Sequence, residues 1–125
     1  MAYQYYNNNP SGRVTGDCVV RAVSLATGDD WQKSYIGIAF QGFLMGDMPS
    51  SDAVWGAYLR NNGFKRYAIP NVCDDCYTIS DFIEDHPKGI YTLGTGNHAV
   101  TVIDGVAYDA WDSTNEFPIF YYSQE

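Results

Sequence analysis

The chain has few positively charged side chains, and this scarcity limits the partners that it can bind. Seven Lys and Arg residues stand against 15 Asp and Glu residues among 125, for a formal net charge of −8. A surface of that sign repels phosphate groups, so binding to nucleic acid and docking on anionic membranes are both disfavoured. A polypeptide substrate or a protein partner, above all a cationic one, remains compatible with this charge.

The chain also lacks a long apolar run. No stretch approaches the roughly 20 apolar residues that span a bilayer. Residues 1–9 are polar and rich in tyrosine, without the basic and apolar regions of a signal peptide. We therefore expect a cytoplasmic protein, in a microbe or in a host that carries a phage. With 46% hydrophobic and 16% aromatic residues, one folded domain over residues 1–125 is predicted.

Cysteines are few, and their odd number, three, does not suggest a disulfide framework. Cys73 and Cys76 form a Cys-x-x-Cys pair that is not repeated, and we interpret them as two thiols in a plain loop. A structural zinc site is the alternative, with oxygen ligands from Asp74 and Asp75 or a nitrogen ligand from His86. We expect neither a metal nor another cofactor.

The remaining cysteine, Cys18, lies where a loop rich in turn formers is predicted to enter a helix over 18–26, capped by Asp17 or Thr15. The first N–H groups of a helix lack partners inside the helix and lower the pKa of a thiol placed there. Cys18 is thus either a nucleophile or a small apolar core residue. Arg21, on the same side of the helix, is either half of an ion pair or a substrate contact.

The order of the predicted elements is that of an α+β domain with N-terminal helices packed on a C-terminal antiparallel sheet. Residues 3–15 are predicted to be an ordered loop. Hydrophobic periodicity predicts further helices over 31–41, 52–62 and 79–85. It predicts strands over 64–69, 90–93, 98–103, 106–111 and 117–122.

Residues 42–50 are predicted to form a loop with an unusual number of apolar side chains. Such a loop either covers the core or lines a binding groove, because exposed apolar side chains reduce solubility. Phe43 and Met45 are therefore candidates for a substrate groove.

The Asp-Gly pair at 104–105, between two runs of alternating apolar residues, predicts a β-hairpin. A two-residue turn places His98 opposite Trp111 and puts Asp109 diagonally beside it on the same face. A loop one residue longer would bring Asp112 to His98 instead. An imidazole oriented by a carboxylate is the general base that a nucleophilic thiol requires, although His98 is also consistent with an ordinary sheet histidine.

These motifs together resemble papain-like cysteine peptidases. A cysteine opens a helix, the run His-Ala-Val-Thr-Val follows at 98–102, and Asp-Ala-Trp stands at 109–111. The last motif is similar to the Asn-Ser-Trp segment of that family, with Asp for Asn as in bacteriocin-leader peptidases. The start at 16–22 is similar to small papain-fold proteins of phages and Gram-positive bacteria. The resemblance implies a papain-like fold and Cys18 as nucleophile, with His98 as general base and acid and Asp109 as the residue that orients it.

The resemblance also implies an oxyanion donor, which in this family is a Gln or Asn side chain upstream of the cysteine. The residue six positions before Cys18 is Gly12, and the available donors are the asparagines at 7–9, of which Asn9 is preferred. The implied activity is that of a cysteine peptidase or amidase, which cleaves a peptide or isopeptide through a thioester. The candidates for its substrate groove are Phe43, Met45 and Trp111. The alternative is a catalytically inactive papain-fold binding protein, such as a phage counter-defence factor or a virion component.

Overall fold

The computed structural model describes residues 2–70 and 76–124, and its architecture is α+β, as predicted. In this part of the chain, four helices accompany six strands of one mixed sheet. The helices are α1 (Cys18–Thr27), α2 (Trp31–Met45), α3 (Asp52–Asn61) and α4 (Ile79–Asp85). The strands are β1 (Tyr3–Tyr5), β2 (Phe64–Ala68), β3 (Ile90–Gly94), β4 (Ala99–Ile103), β5 (Val106–Asp109) and β6 (Phe120–Gln124). Their order in the sheet is β1-β5-β4-β3-β6-β2.

Helices cover both faces of the sheet. Buried residues of α1, α2 and α3 pack with Ala99 of β4 and with Phe120 and Tyr122 of β6 in one core. Buried residues of α4 pack with Val100 and Val102 of β4 in a second core. Because successive side chains of a strand point to opposite faces, β4 contributes to both cores and is held rigidly between them.

The predicted hairpin between β4 and β5 is confirmed. Ile103 pairs with Val106, and the two turn residues, Asp104 and Gly105, have φ values of 48° and 82°. Left-handed backbone at both central positions is what a two-residue type I′ turn requires, and Asp-Gly is a preferred pair for it. This register brings the end of β5 beside the residues that precede β4.

The strand β1 corrects the prediction of a loop over residues 3–15. β1 pairs in parallel with β5, and Tyr5 is the partner of Asp109. The sheet is therefore mixed rather than antiparallel, and β1, near the N-terminus, is one of its two edge strands. A three-residue strand has little periodicity of its own, and its pairing joins residues about a hundred positions apart in the chain, so no local pattern reveals it.

The helix α2 extends to Met45, four residues beyond its predicted end, and this corrects half of the predicted loop over 42–50. Gly46, with φ of 68°, ends the helix in the left-handed conformation. Gly42 lies inside the helix, where a Cβ would come within 2.7 Å of the carbonyl oxygen of Asp47. The first glycine therefore permits close packing, and only the second is the helix stop.

The last strand begins three residues later than predicted, at Phe120 rather than at Phe117. Pro118 has no N–H to donate to a sheet ladder. The N–H of Ile119 donates to the carbonyl oxygen of Gly94 at 2.9 Å, and the ladder with β3 then starts at the pair Gly94 and Phe120.

The Cys-x-x-Cys pair lies partly outside the described residues, which do not include Cys73, Asp74 and Asp75. Cys76 takes part in a disulfide bond, which corrects the expectation of a free thiol at this position. Sequence spacing alone did not reveal this, because disulfide formation depends on the distance and direction of the two side chains. Across residues 2–70 and 76–124, no helix combines the length and apolar character that crossing a bilayer requires.

We expect Gly94→Ala to destabilise the protein by about 1–3 kcal/mol, the usual cost of overpacking a core. A Cβ at position 94 would come within 2.2 Å of the Phe120 ring, which is itself packed against Trp55. Urea denaturation followed by tryptophan fluorescence measures the free energy of unfolding. In a Phe120→Leu background the same substitution should cost less, because the ring that it meets is gone; an equal cost in both backgrounds would contradict this account.

Candidate active site

Cys18 is the first residue of α1, as predicted, and its side chain lies against the start of β4. The sulfur is half-buried and free. The imidazole of His98 and the backbone N–H of Ala99 lie beside it and favour its ionised form. The N-terminal end of α1 and the residues that lead into β4 therefore bring the thiol and the imidazole together.

The carboxylate of Asp109 holds the other side of the imidazole. Nε2 of His98 lies 2.6 Å from Oδ2 of Asp109, so Nε2 carries the hydrogen and Nδ1 is the ring nitrogen left for the thiol. The indole of Trp111 packs beside the ring of His98, with 4.9 Å between ring centroids. The imidazole is thus fixed in orientation and partly shielded from water.

This arrangement favours the charged forms of the thiol and the imidazole. Burial opposes ionisation of Cys18, but hydrogen bonds from His98 and the Ala99 backbone, with the positive charges of His98 and Arg21, hold its pKa below the ordinary 9.0. Burial likewise opposes protonation of His98, but the hydrogen bonds and negative charges of Asp109 and Cys18 raise its pKa to about 9. Both shifts therefore favour the pair of thiolate and imidazolium over the neutral thiol and imidazole.

Asp109 is only 2% exposed, and every side of its carboxylate has a donor. Oδ2 accepts from the hydroxyl of Ser113 at 2.7 Å as well as from His98. Oδ1 accepts from the N–H of Ala110 at 2.8 Å and from the guanidinium of Arg21 at 3.3 Å. Burial raises the pKa of Asp109, but the hydrogen bonds from His98, Ser113 and Ala110 outweigh it and lower the pKa overall.

Ser113 is a site residue that sequence reasoning missed. It is fully buried and lies in the turn after β5, four residues beyond Asp109. The polar run at 112–114 directly after the strand was the available signal, since short polar side chains commonly bond within such turns.

Asp112, the alternative partner of His98, is placed elsewhere by the structure. Its side chain is exposed and accepts hydrogen bonds from the N–H and the hydroxyl of Thr114 at 3.0 Å and 2.6 Å. The two-residue hairpin turn decides between the two aspartates, because it sets which of them lies beside His98.

Asp17, immediately before Cys18, does not cap α1 with its side chain. Its carboxylate is buried and faces Arg21, with which it forms an ion pair. It also accepts from the indole N–H of Trp31 at 3.0 Å and from the amide of Asn9 at 3.2 Å. Asp17 is therefore the N-cap residue by position, as predicted, but without the capping hydrogen bond, because a buried guanidinium one turn along the helix attracts the carboxylate more strongly than the backbone N–H groups do.

Asn9, the preferred oxyanion donor, lies in the loop that packs against the start of α1. Its amide group donates to Asp17, and its oxygen accepts from the N–H and the hydroxyl of Ser11, both at 3.0 Å. The backbone N–H of Cys18 also lies at this end of α1, where the first N–H groups of a helix have no partner within it.

A cleft of about 550 Å³ opens next to the start of α1. Its walls are largely apolar and include Val20, Trp31, Tyr35 and Met48. The groove candidates Phe43 and Met45 do not line this cleft: Phe43 borders a separate shallow depression, and Met45 borders a cavity next to Arg60. Of the three groove candidates, Trp111 is the one that contacts the site, through the imidazole of His98.

No family model, curated protein or solved structure matches this chain. The chemistry of the site therefore has to follow from its own geometry. A thiol, an imidazole and a carboxylate that contact one another in this order form the arrangement that activates a nucleophile.

We expect Cys18 to react with iodoacetamide at pH 6.5, well below the ordinary thiol pKa, because His98 stabilises its thiolate. His98→Ala should slow this reaction about 10- to 100-fold at that pH by returning the thiol to an ordinary pKa. Mass spectrometry of the modified peptide gives the rate, and Cys18→Ala supplies the background from reaction at other side chains. A Cys18 rate no faster than that of free glutathione at the same pH, and unchanged by His98→Ala, would contradict the assignment.

Proposed function

We propose that this protein is a papain-like cysteine hydrolase, a peptidase or amidase that acts on a peptide or isopeptide bond. The observation that carries the proposal is the arrangement of Cys18 beside His98, whose imidazole is hydrogen-bonded to Asp109 at 2.6 Å. The directions of their pKa shifts support it further, because both favour the thiolate and imidazolium pair that attacks an acyl group.

In the first half of the proposed reaction, the Cys18 thiolate attacks the carbonyl carbon of the scissile amide. The carbonyl electron pair moves to the oxygen, which becomes an oxyanion. When the intermediate collapses, the C–N bond breaks, and the imidazolium of His98 donates its Nδ1 proton to the leaving amine. The products of this half are a free amine and an acyl group bound to Cys18 as a thioester.

In the second half, the now neutral imidazole of His98 takes a proton from water, whose oxygen attacks the thioester carbonyl. The C–S bond breaks, the carboxylic acid leaves, and Cys18 returns as a thiolate beside the imidazolium. Asp109 stays ionised throughout and keeps Nε2 protonated, which leaves Nδ1 available for both proton transfers.

The oxyanion of each half needs donors at the N-terminal end of α1. The backbone N–H of Cys18 is one, and we propose the second amide hydrogen of Asn9 as the other. Removing one such donor in hydrolases typically lowers the rate by about 10²–10³-fold. Because Asn9 also contacts Asp17, its contribution depends on the loop before α1 staying in place.

We expect hydrolysis to follow a bell-shaped pH profile. Activity should fall above about pH 9, because His98 loses the proton that the leaving amine requires. It should also fall on the acid side, as pH drops through the lowered pKa of Cys18 and the thiolate is protonated. The initial rate on a fluorogenic peptide library, measured from pH 5 to 10, checks this; a rate that keeps rising past pH 10 would contradict it.

The substrate can be found by trapping it. We expect Cys18→Ala to retain a protein or peptide that the active enzyme releases, because binding is preserved while the thioester cannot form. Affinity purification and mass spectrometry should then find the intact substrate with the variant and its cleaved form with the parent protein. His98→Ala serves as a matched control that keeps the thiol and loses the base.

A second candidate, a catalytically inactive binding protein, is favoured by an exposed apolar surface on α2. Ile36, Phe40, Phe43 and Leu44 recur at helical spacing on the outer side of this helix, and Phe43 is 78% exposed. The rings of Phe40 and Phe43 stack on each other with 6.3 Å between centroids. Exposed apolar patches of this kind commonly mark protein-binding surfaces.

The two functions differ in what they require of Cys18. A binding protein should retain its partner equally well with and without Cys18→Ala, and should lose it on Phe40→Lys combined with Phe43→Lys. A hydrolase should retain an intact partner only with Cys18→Ala. The rate of Cys18 alkylation in the α2 variant is the control for folding, since these substitutions lie outside the candidate site.

A further inference from the structure

A buried ion pair lies next to the candidate site, on the side of Asp109 that faces away from His98. Arg21 is 5% exposed, and its guanidinium contacts two carboxylates, that of Asp17 through one terminal nitrogen and that of Asp109 through the other. Asp17 is 6% exposed. From Asp17 through Arg21, Asp109 and His98 to Cys18, the charges alternate in sign over five groups in contact.

We propose that Arg21 and Asp17 are positioning residues that set the ionisation of Cys18 and His98 from behind the site. This deepens the proposed function and rests on it, since it takes Cys18 as the nucleophile. The direct contacts are between Arg21 and Asp109 and between Asp17 and Arg21. Neither residue needs to touch the substrate.

The guanidinium contacts the one oxygen of Asp109 that His98 does not use. Arg21 therefore fixes the carboxylate in the rotation that presents Oδ2 to Nε2 of His98. Its positive charge also favours the thiolate of Cys18. If Asp109 were the single carboxylate partner of Arg21, the arginine would add a full positive charge near the imidazolium. The low local dielectric would screen this charge little.

Asp17 supplies the charge that offsets Arg21. Its carboxylate is held in place by two further hydrogen bonds, which Trp31 and Asn9 donate. The net charge of Asp17, Arg21 and Asp109 together is −1, the same as that of a lone aspartate beside a histidine. The three groups thus act as one carboxylate whose direction is fixed by an additional ion pair.

Several charged and titratable groups on the elements around α1 have partners of their own, and Arg13 lies across the cleft that Asp17 lines. Lys33 of α2 pairs with Asp29 at 3.2 Å on the surface, and Arg60 of α3 lies over the ring of Tyr122. The Tyr3 hydroxyl of β1 donates to the backbone oxygen of Asp109. Asp112, beyond β5, accepts from Thr114, and Asp52 of α3 accepts from Trp55.

The proposal predicts pKa shifts of opposite sign for two variants. Asp17→Asn leaves the charge of Arg21 without its offset, which favours the thiolate and disfavours the imidazolium, so the pKa values of Cys18 and His98 should both fall. Arg21→Met removes the positive charge and leaves two carboxylates, so both pKa values should rise. We expect shifts of at least about half a pKa unit in each direction.

The experiment measures the rate of iodoacetamide modification of Cys18 against pH, with the imidazole of His98 followed by NMR titration. Asp29→Asn is the matched control, because it removes the same charge from an ion pair near the surface, in the connection between α1 and α2. Arg21→Lys is the conservative variant, which keeps the positive charge. The midpoints of the Cys18 and His98 titrations should therefore lie close to those of the parent protein. Thermal unfolding of every variant reports its stability separately.

A residue that only stabilises the fold would lower the unfolding temperature without moving these midpoints. Midpoints for Asp17→Asn that match those of Asp29→Asn would overturn the proposal, even if Arg21→Met fails to fold. If the parent protein itself shows an ordinary thiol midpoint, the proposed function fails as well. If the Cys18 midpoint of the parent protein is low but Asp17→Asn leaves it unchanged, the positioning role of Asp17 and Arg21 is wrong while the proposed function stands.

Discussion

The buried carboxylate of Asp109 is the group on which the rest of the candidate site depends. An ionised carboxylate with 2% of its surface exposed is stable only when its oxygens are fully hydrogen-bonded. His98, Ser113, Ala110 and Arg21 supply those bonds from four directions. The requirement to satisfy one buried charge therefore fixes the imidazole on one side and the guanidinium on the other.

The fold meets this requirement by joining distant parts of the chain at one point. Asp109 is the last residue of β5, Arg21 lies on α1, and His98 immediately precedes β4. The N-terminal strand β1 also contributes, because Tyr5 pairs with Asp109 and the N–H of Tyr6 donates to its backbone oxygen at 2.7 Å. Backbone and side chain of Asp109 are thus both held, which is the rigidity that an orienting residue needs.

The site and the exposed surface of α2 support different functions, and they lie on different elements. The proposed hydrolase uses the end of α1 and the hairpin of β4 and β5. The α2 surface, with Phe40 and Phe43, lies outside this site and is available to a protein partner. Because the two features lie on different elements, a substitution in one of them changes no residue of the other.

Local pattern in the sequence determined the helix that begins at Cys18, the Asp-Gly hairpin and the register that brings Asp109 to His98. These follow from helical periodicity, turn chemistry and the two-residue period of a strand, all of which act between near neighbours. Only the tertiary structure decided the pairing of β1 with β5, the extent of α2, and the direction of the Asp17 side chain. Those outcomes depend on contacts across the fold, where a buried guanidinium or an adjacent strand outweighs local preference. The hydrogen bond from Ser113 and the bridge made by Arg21 have the same origin: each exists because Asp109 is buried beside it, and burial is a property of the whole fold.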